Sequence, residues 1–171
     1  MAKRYVDDIV DVAGNIDATK MNDLRLALQK GTFNADEIKQ ISKHMNSIGA
    51  TEAYEAAMKN VDFGKYLKAV VGNPPTDMVN PHAHHILFKT GLGEAQQKLV
   101  SEGQAILRKH GIDPIVGPEN LAWAPNAVTG QHDIAAITKV VDTLRAVDEA
   151  GGDYDDIVEA LQKLGSIASQ R

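Results

Sequence analysis

Apolar side chains recur at helical spacing through the first 72 residues. Asn34, followed three residues later by Glu37, is the signature of a capping box and predicts a helix that begins there. Thr51 is a candidate N-cap for the next helix, and a shorter helix is predicted over 65–71. The apolar positions that support these helices are Val6, Ile9, Val10, Val12, Leu24, Leu26, Leu28, Ile38, Ile41, Met45, Tyr54, Ala57 and Met58. The pattern therefore predicts a helical N-terminal region.

The helical pattern stops at Gly72-Asn73-Pro74-Pro75, because two successive prolines cannot continue a helix. We place a domain boundary here. It divides the chain into a helical accessory lobe over residues 1–72 and a second domain over residues 73–171. The lobe contains a single histidine, His44, and no motif, so we expect it to be dispensable for any chemistry.

Beyond the boundary, the pattern alternates between strands and helices. It predicts strands over 83–88 and 121–124, and helices over 92–110 and 133–147. Asp153 is a candidate N-cap for a last helix. The expected fold class is α+β and mostly helical, with a strand pair and a following helix at its centre, an N-terminal helical lobe and a C-terminal helix.

The composition limits the kinds of site and partner. The 171 residues are 43% hydrophobic, enough for a real core, and the absence of cysteine excludes disulfides and thiolate metal sites. The net charge of −5 does not favour nucleic acid, whose phosphates usually contact a basic surface. Residues 80–145 nevertheless carry six basic and six acidic side chains, so the surplus acid lies elsewhere. The sequence contains neither the apolar run of a secretory signal peptide nor an apolar stretch of membrane-spanning length.

Five of the six histidines lie between positions 82 and 132. Imidazole suits both the binding of divalent metals and the transfer of protons near neutral pH. His84 and His85 are adjacent, and adjacent side chains on a strand point to opposite faces, so one ring can bind a metal while the other does different chemistry. Alternatively, twisting at the strand end lets both rings face one cleft. With Asn120 and His132 the chain has the order His-His, Asn, His, which indicates a nuclease.

Four short segments follow one another in the middle of the chain: Ala83-His84-His85-Ile86, Lys109-His110-Gly111-Ile112-Asp113, Pro118-Glu119-Asn120-Leu121 and Thr129-Gly130-Gln131-His132. Together they resemble the AHH branch of the HNH/endonuclease VII superfamily. Members of that branch have a ββα-metal core and occur as toxin domains in bacterial polymorphic toxin systems. The resemblance covers residues 80–145, a little over a third of the chain.

The resemblance implies a role for four residues. His84 and His132 match metal ligands, one on the first strand and one at the start of the following helix. His85 matches the general base, and Asn120 matches the residue that braces the strand pair and orients that base. Some HNH nucleases have a second helical histidine where Ala136 stands here. Two imidazoles completed by waters imply magnesium or manganese as the cofactor, with zinc as the alternative.

Three other residues near these motifs have candidate roles. His82 and Lys89 are candidates for phosphate or auxiliary contacts, although a flanking strand residue and a solvated lysine are equally ordinary interpretations. Trp123 alternates with Leu121 on the predicted second strand. We therefore expect Trp123 to lie in the core and not to stack on a nucleobase.

The resemblance implies a metal-dependent endonuclease toxin that cleaves DNA in competing bacteria. It further implies a larger parent toxin or secretion machinery that delivers the domain, action in the target-cell cytoplasm, and a cognate immunity protein in the producing cell. Two alternatives stay open. One is an RNA-cleaving toxin of the same fold, and the other is a non-enzymatic helical adaptor or inhibitor whose histidines hold a structural metal.

Overall fold

The computed structural model describes residues 2–170, which form an α+β fold. Helices account for 57% of the chain and the sheet has two antiparallel strands, so the mostly helical fold class predicted from the sequence is confirmed. The chain divides into two compact units, the first ending at Asn73 and the second beginning at Pro74. No helix within the described residues combines the length and the apolar character that crossing a membrane requires.

Within the described residues the first unit has five helices, and side chains cap the N-termini of three of them. The capping box predicted at Asn34 is confirmed, since its side chain accepts from the Glu37 backbone N–H and the Glu37 carboxylate accepts from the Asn34 N–H. Asp17 and Asp62 cap two other helices through their carboxylates. The helices are α1 (Lys3–Val6), α2 (Ala18–Gln29), α3 (Ala35–Ser47), α4 (Thr51–Met58) and α5 (Phe63–Val70).

The helical interpretation of the first apolar positions is wrong beyond Val6. Asp8 has a positive φ of 60°, which interrupts the helix, and Val10 instead forms an isolated antiparallel bridge with Ile16. The turn between these two residues is held by the Asp11 carboxylate, which accepts from two backbone N–H groups. Hydrophobic spacing does not report this turn, because a short acidic side chain competes locally for the backbone donors.

Thr51 is the first residue of α4 and not its N-cap, so that prediction is also wrong. Ala50 occupies the cap position, and no side chain caps this end of the helix. The Thr51 hydroxyl donates instead to the Asn46 side-chain oxygen at 3.4 Å. The bend between α3 and α4 therefore uses the side chain that the sequence suggested as a cap.

The second unit contains a strand pair and three long helices. β1 (Pro81–His85) runs antiparallel to β2 (Leu121–Pro125), and a 3₁₀ turn (Pro118–Asn120) leads into β2. The elements predicted for this region are present with ends shifted by a few residues, and Asp153 caps the last helix as expected. The helices are α6 (Gly93–Lys109), α7 (Ile134–Glu149) and α8 (Tyr154–Ser169).

Strand alternation sorts the histidines of β1 onto two faces. His84 is paired with Ala122 and His85 with Leu121, so successive residues of β1 present their side chains on opposite sides of the sheet. The alternation continues beyond the end of the strand, because His84, Ile86 and Phe88 line the same small cavity. One face carries His82, His84, Ile86 and Phe88, and the other carries Ala83, His85 and Leu87.

Two glycines allow helices to approach this strand closely. A Cβ on Gly103 of α6 would lie 2.5 Å from the Leu87 side chain, and a Cβ on Gly165 of α8 would lie 3.1 Å from the Ile86 side chain. The two helices thus cover opposite faces of the β1 segment. The surrounding core consists of Ile86, Leu87, Phe88, Val100, Ile106, Leu107, Ile112, Ile137, Val140, Val141, Leu144, Ile157, Ala160, Leu161 and Leu164.

We expect a shortened chain that begins at Asn73 to fold without the first unit. Its hydrophobic core is built from its own residues, between Ile86 and Leu164, so removal of the preceding helices leaves that core intact. Circular dichroism and thermal unfolding of the shortened protein, compared with the full chain, measure this. Aggregation, or loss of a cooperative transition, would mean that the boundary at the prolines divides a shared core.

Candidate metal centre

Three histidines meet where the strand pair approaches the start of α7. The ligand atoms of His82, His84 and His132 all lie within 4.8 Å of one another. The ring centroids are 5.6 Å apart for His82 and His84, and 5.5 Å apart for His84 and His132. His84 is buried, His82 is half-buried and His132 is exposed, so the group opens to solvent on the His132 side.

The His82 ring is oriented by a backbone carbonyl. Its Nδ1 lies 2.9 Å from the Ala124 oxygen, the residue with which His82 pairs across the sheet. Because a carbonyl oxygen only accepts, Nδ1 carries the proton and Nε2 keeps its lone pair for a ligand. This is the arrangement that metal-bound histidines usually have, with one nitrogen on the metal and the other donating to the protein.

His132 lies in the turn that precedes α7. Gly130 has a φ of 78°, and the Asp133 carboxylate caps the helix by accepting from the Ala136 N–H at 2.8 Å. The His132 ring meets the Phe88 ring edge-on, with centroids 5.4 Å apart. Asp133, the residue after His132, thus serves as the N-cap of α7.

The sequence indicated two imidazole ligands, and the structure brings a third beside them. His82, treated as an auxiliary residue, precedes His84 by two positions and therefore lies on the same strand face. The place of a second helical histidine is taken by Ala136, and the third imidazole comes from the strand. The signal was present in the His82-Ala83-His84 spacing, which on any strand puts both rings on one side.

His85 lies on the opposite face of β1, so the two adjacent rings do not share one cleft. Its Nε2–H donates to the Ile115 carbonyl at 2.8 Å, which leaves Nδ1 as the basic atom. The pKa of His85 falls from 6.5 to about 4, chiefly because burial penalises the charged ring. The bond to Ile115 opposes this fall and the positive charge of Lys89 adds to it. His85 is therefore a neutral imidazole at neutral pH.

Asn120 clamps the chain directly after β1. Its side-chain oxygen accepts from the Leu87 N–H at 2.7 Å, and its amide donates to the Leu87 carbonyl at 3.0 Å and to the Pro114 carbonyl at 2.9 Å. These bonds replace a strand partner for Leu87, which explains why β1 ends at His85 and not at the predicted residue 88. Asn120 is fully buried, so the clamp is shielded from water.

The clamp also holds the loop that orients His85. Pro114, bonded by Asn120, directly precedes Ile115, whose carbonyl accepts from the His85 ring. The buried Asp113 carboxylate accepts from the N–H groups of Ile115 and Val116 and so fixes the same turn. Asn120 thus positions His85 through the loop and not by a direct bond.

Trp123 is half-buried, so its expected place in the core is wrong. It pairs with Ala83, closer to the Pro81–Pro125 end of the strand pair than the buried His85 and Leu121. The next residues, Ala124 and Pro125, are buried, so the partial exposure is local to the Trp123 side chain.

No family model matches this chain, and no curated protein or solved structure is found to match it. The assignment of roles therefore depends on the site geometry and on the sequence motifs.

We expect Asn120→Ala to lower the free energy of unfolding by about 3 kcal/mol, because it leaves several buried backbone groups without hydrogen bonds, each at a cost of about 1–3 kcal/mol. Chemical denaturation measures this change. Asn126→Ala is the matched control, since the exposed Asn126 side chain accepts only from the neighbouring Ala127 N–H. Equal losses for the two variants would contradict the proposed importance of the clamp.

The His85 pKa predicts how stability depends on pH. Between pH 6.5 and about 4 the unfolded chain binds a proton at this position while the folded chain does not, so acidification favours unfolding. This contribution is fully present above pH 6.5 and is lost as the pH falls towards 4, a change of about 3 kcal/mol. We expect His85→Gln to reduce the pH dependence of the unfolding free energy across this window, measured by denaturation at a series of pH values. Parallel curves for the two proteins would mean that His85 titrates normally.

Proposed function

We propose that the second unit is a metal-dependent phosphodiesterase, an endonuclease acting on DNA. The observation that carries this proposal is the group of three imidazoles from His82, His84 and His132, which is open to solvent on one side. A catalytic metal site keeps an open position for substrate or water, whereas a structural site is usually closed by four protein ligands. This openness favours an enzyme over the alternative of an adaptor with a structural metal.

The donor set fits a transition-metal ion. Three imidazoles form the group, and no carboxylate joins it within residues 2–170. Imidazole suits zinc and similar ions, whereas magnesium prefers oxygen ligands. The third histidine therefore moves our proposal from magnesium or manganese towards zinc. His82, His84 and His132 would hold the ion, which when bound supplies Lewis-acid polarisation of a phosphoryl oxygen and neutralisation of developing charge.

His85 is proposed as the general base. It is neutral at neutral pH, and its Nδ1 would take the proton of the attacking water while Nε2–H stays bonded to Ile115. Its low pKa limits the driving force for this transfer, yet it keeps the ring unprotonated at neutral pH. Asn120 contributes by holding the loop that carries the Ile115 carbonyl.

We propose that a substrate approaches the site along the outer edge of β1. Within the described residues β1 pairs with β2 alone, so no strand is hydrogen-bonded to this edge. Consecutive residues on a strand are separated by about 3.3 Å along its axis. The proposal places the scissile phosphate between the metal ligand His84 and the general base His85, and it requires these buried rings to become accessible when substrate binds.

The biological setting is proposed from the sequence motifs. We propose a toxin domain that is delivered by a larger protein or secretion system into a competing bacterium, with a cognate immunity protein as its partner. The balanced charge of residues 80–145, in a chain of net charge −5, supports local and not extended phosphate contacts. Lys89, whose charge acts on His85, is the nearest candidate for such a contact.

The decisive experiment is incubation of the purified full chain with plasmid DNA, and separately with total RNA, in the presence of zinc, manganese or magnesium and with or without EDTA. We expect plasmid cleavage that EDTA abolishes, because the metal neutralises charge on the scissile phosphate. Cleavage of RNA alone would change the substrate to RNA. Metal binding without cleavage of either would favour the structural-metal alternative.

Alanine variants separate the two kinds of histidine. His84→Ala and His132→Ala should lose both metal affinity and cleavage, whereas His85→Ala should keep the metal and lose about two to four orders of magnitude in rate. His110→Ala is the control, since this half-buried ring bonds to Asp148 away from the site and its loss should leave the rate unchanged. A His85→Ala rate above a tenth of the wild-type rate would remove the base assignment.

A further inference from the structure

The end of β2 supports two of the three histidines through consecutive carbonyl groups. The Ala124 carbonyl accepts from His82 Nδ1 at 2.9 Å, and the Pro125 carbonyl accepts from the Gln131 side-chain amide at 2.9 Å. Gln131 directly precedes His132. The end of β2 therefore contacts the His82 ring directly, and it contacts the backbone beside His132 through Gln131.

The Pro125 carbonyl is available to Gln131 because of its position in the ladder. The backbone N–H of Asn126 donates to the Asn80 carbonyl. Hydrogen-bonded and non-hydrogen-bonded pairs alternate along an antiparallel ladder, so the adjacent Pro81–Pro125 pair is a non-hydrogen-bonded one. Backbone groups at such positions point away from the partner strand. The carbonyl of Pro125 thus faces away from β1, where the buried Gln131 side chain reaches it.

His132 needs such support because its own ring is exposed. Packing fixes a buried ring such as His84, but an exposed ring takes its position mainly from the backbone that carries it. Gln131 is 2% exposed and anchors that backbone from the inside. From the other side, the Gln96 side chain donates to the His132 carbonyl at 3.2 Å and accepts from the Leu92 N–H at 2.9 Å.

We propose that Gln131 is a positioning residue of the metal centre, which sets the place of His132 relative to His82 and His84 before a metal binds. The inference depends on the metal site of the proposed function and extends it to a residue that ligates nothing. The Gln131 amide fixes the turn through one hydrogen bond to a strand end that also orients His82. Loss of this bond lets the turn move and widens the three-imidazole group.

The test is titration of the full chain with cobalt(II) and with zinc, comparing wild type, Gln131→Met and Gln104→Met. Methionine keeps the size of glutamine and removes the donor. Gln104 is the matched control, because its amide also donates to a backbone carbonyl of this unit, that of Lys89 at 3.3 Å. The visible absorption of bound cobalt reports coordination number and geometry, which a change in stability alone does not alter.

We expect Gln131→Met to weaken metal binding by about 10- to 100-fold, as loss of an outer support typically does, and to change the cobalt spectrum. Gln104→Met should leave both unchanged. Wild-type affinity and an unaltered spectrum for folded Gln131→Met would overturn the inference while leaving the metal site intact. If the wild type binds neither ion, the proposed metal site fails and the inference fails with it.

If Gln131→Met does not fold, Gln131→Asn takes its place, since asparagine keeps the amide but is one methylene shorter, which withdraws the donor from the Pro125 carbonyl. A changed cobalt spectrum supports the inference and an unchanged spectrum overturns it.

Discussion

The two-residue alternation of β1, fixed by its register with β2, is the constraint on which the site depends. It puts His82 and His84 on one side of the sheet and His85 on the other, so a strand of five residues separates the proposed metal ligands from the proposed general base. A slip of one residue would exchange the two faces. At the His85–Leu121 end of the strand pair the register is held by Asn120. Its side chain bonds to both backbone groups of Leu87, beyond the last paired residues. The helices α6 and α8 then cover the two faces at the glycines that admit them.

Features set by local chemistry could be predicted from the sequence. The capping box at Asn34, the N-cap at Asp153, the break at the prolines and the order of strands and helices in the second unit all depend on residues within a few positions of one another. One wrong prediction in the first unit arose because two local sequence signals competed. At the N-terminus, apolar spacing indicated a helix, but a turn built on the Asp11 carboxylate took its place.

The site could be predicted only in part, because its members come together through long-range packing. His84 and His132 were indicated by motif, and the structure brings them close. The His82-Ala83-His84 spacing puts both rings on one face of a strand, but their meeting with His132 depends on the position of the turn before α7, which one sequence does not give. The partial exposure of Trp123 likewise depends on tertiary packing, which its alternation with Leu121 along the strand does not report. The support of His85 by Ile115 required the loop of residues 111–117 to fold back against β1.

The separation of the imidazoles along the chain has a thermodynamic consequence. His82 and His84 lie on β1, and His132 follows only after α6 and β2 have been formed, so the unfolded chain holds no preassembled group of three. A ligand that recognises only the folded state stabilises that state by mass action, by about 2.7 kcal/mol when its free concentration is a hundred times its Kd. Binding of a metal at the proposed site would therefore raise the stability of the folded second unit as well as supply its chemistry. In a compartment poor in the ion, the chain would be easier to unfold, to pass through a narrow channel and to degrade.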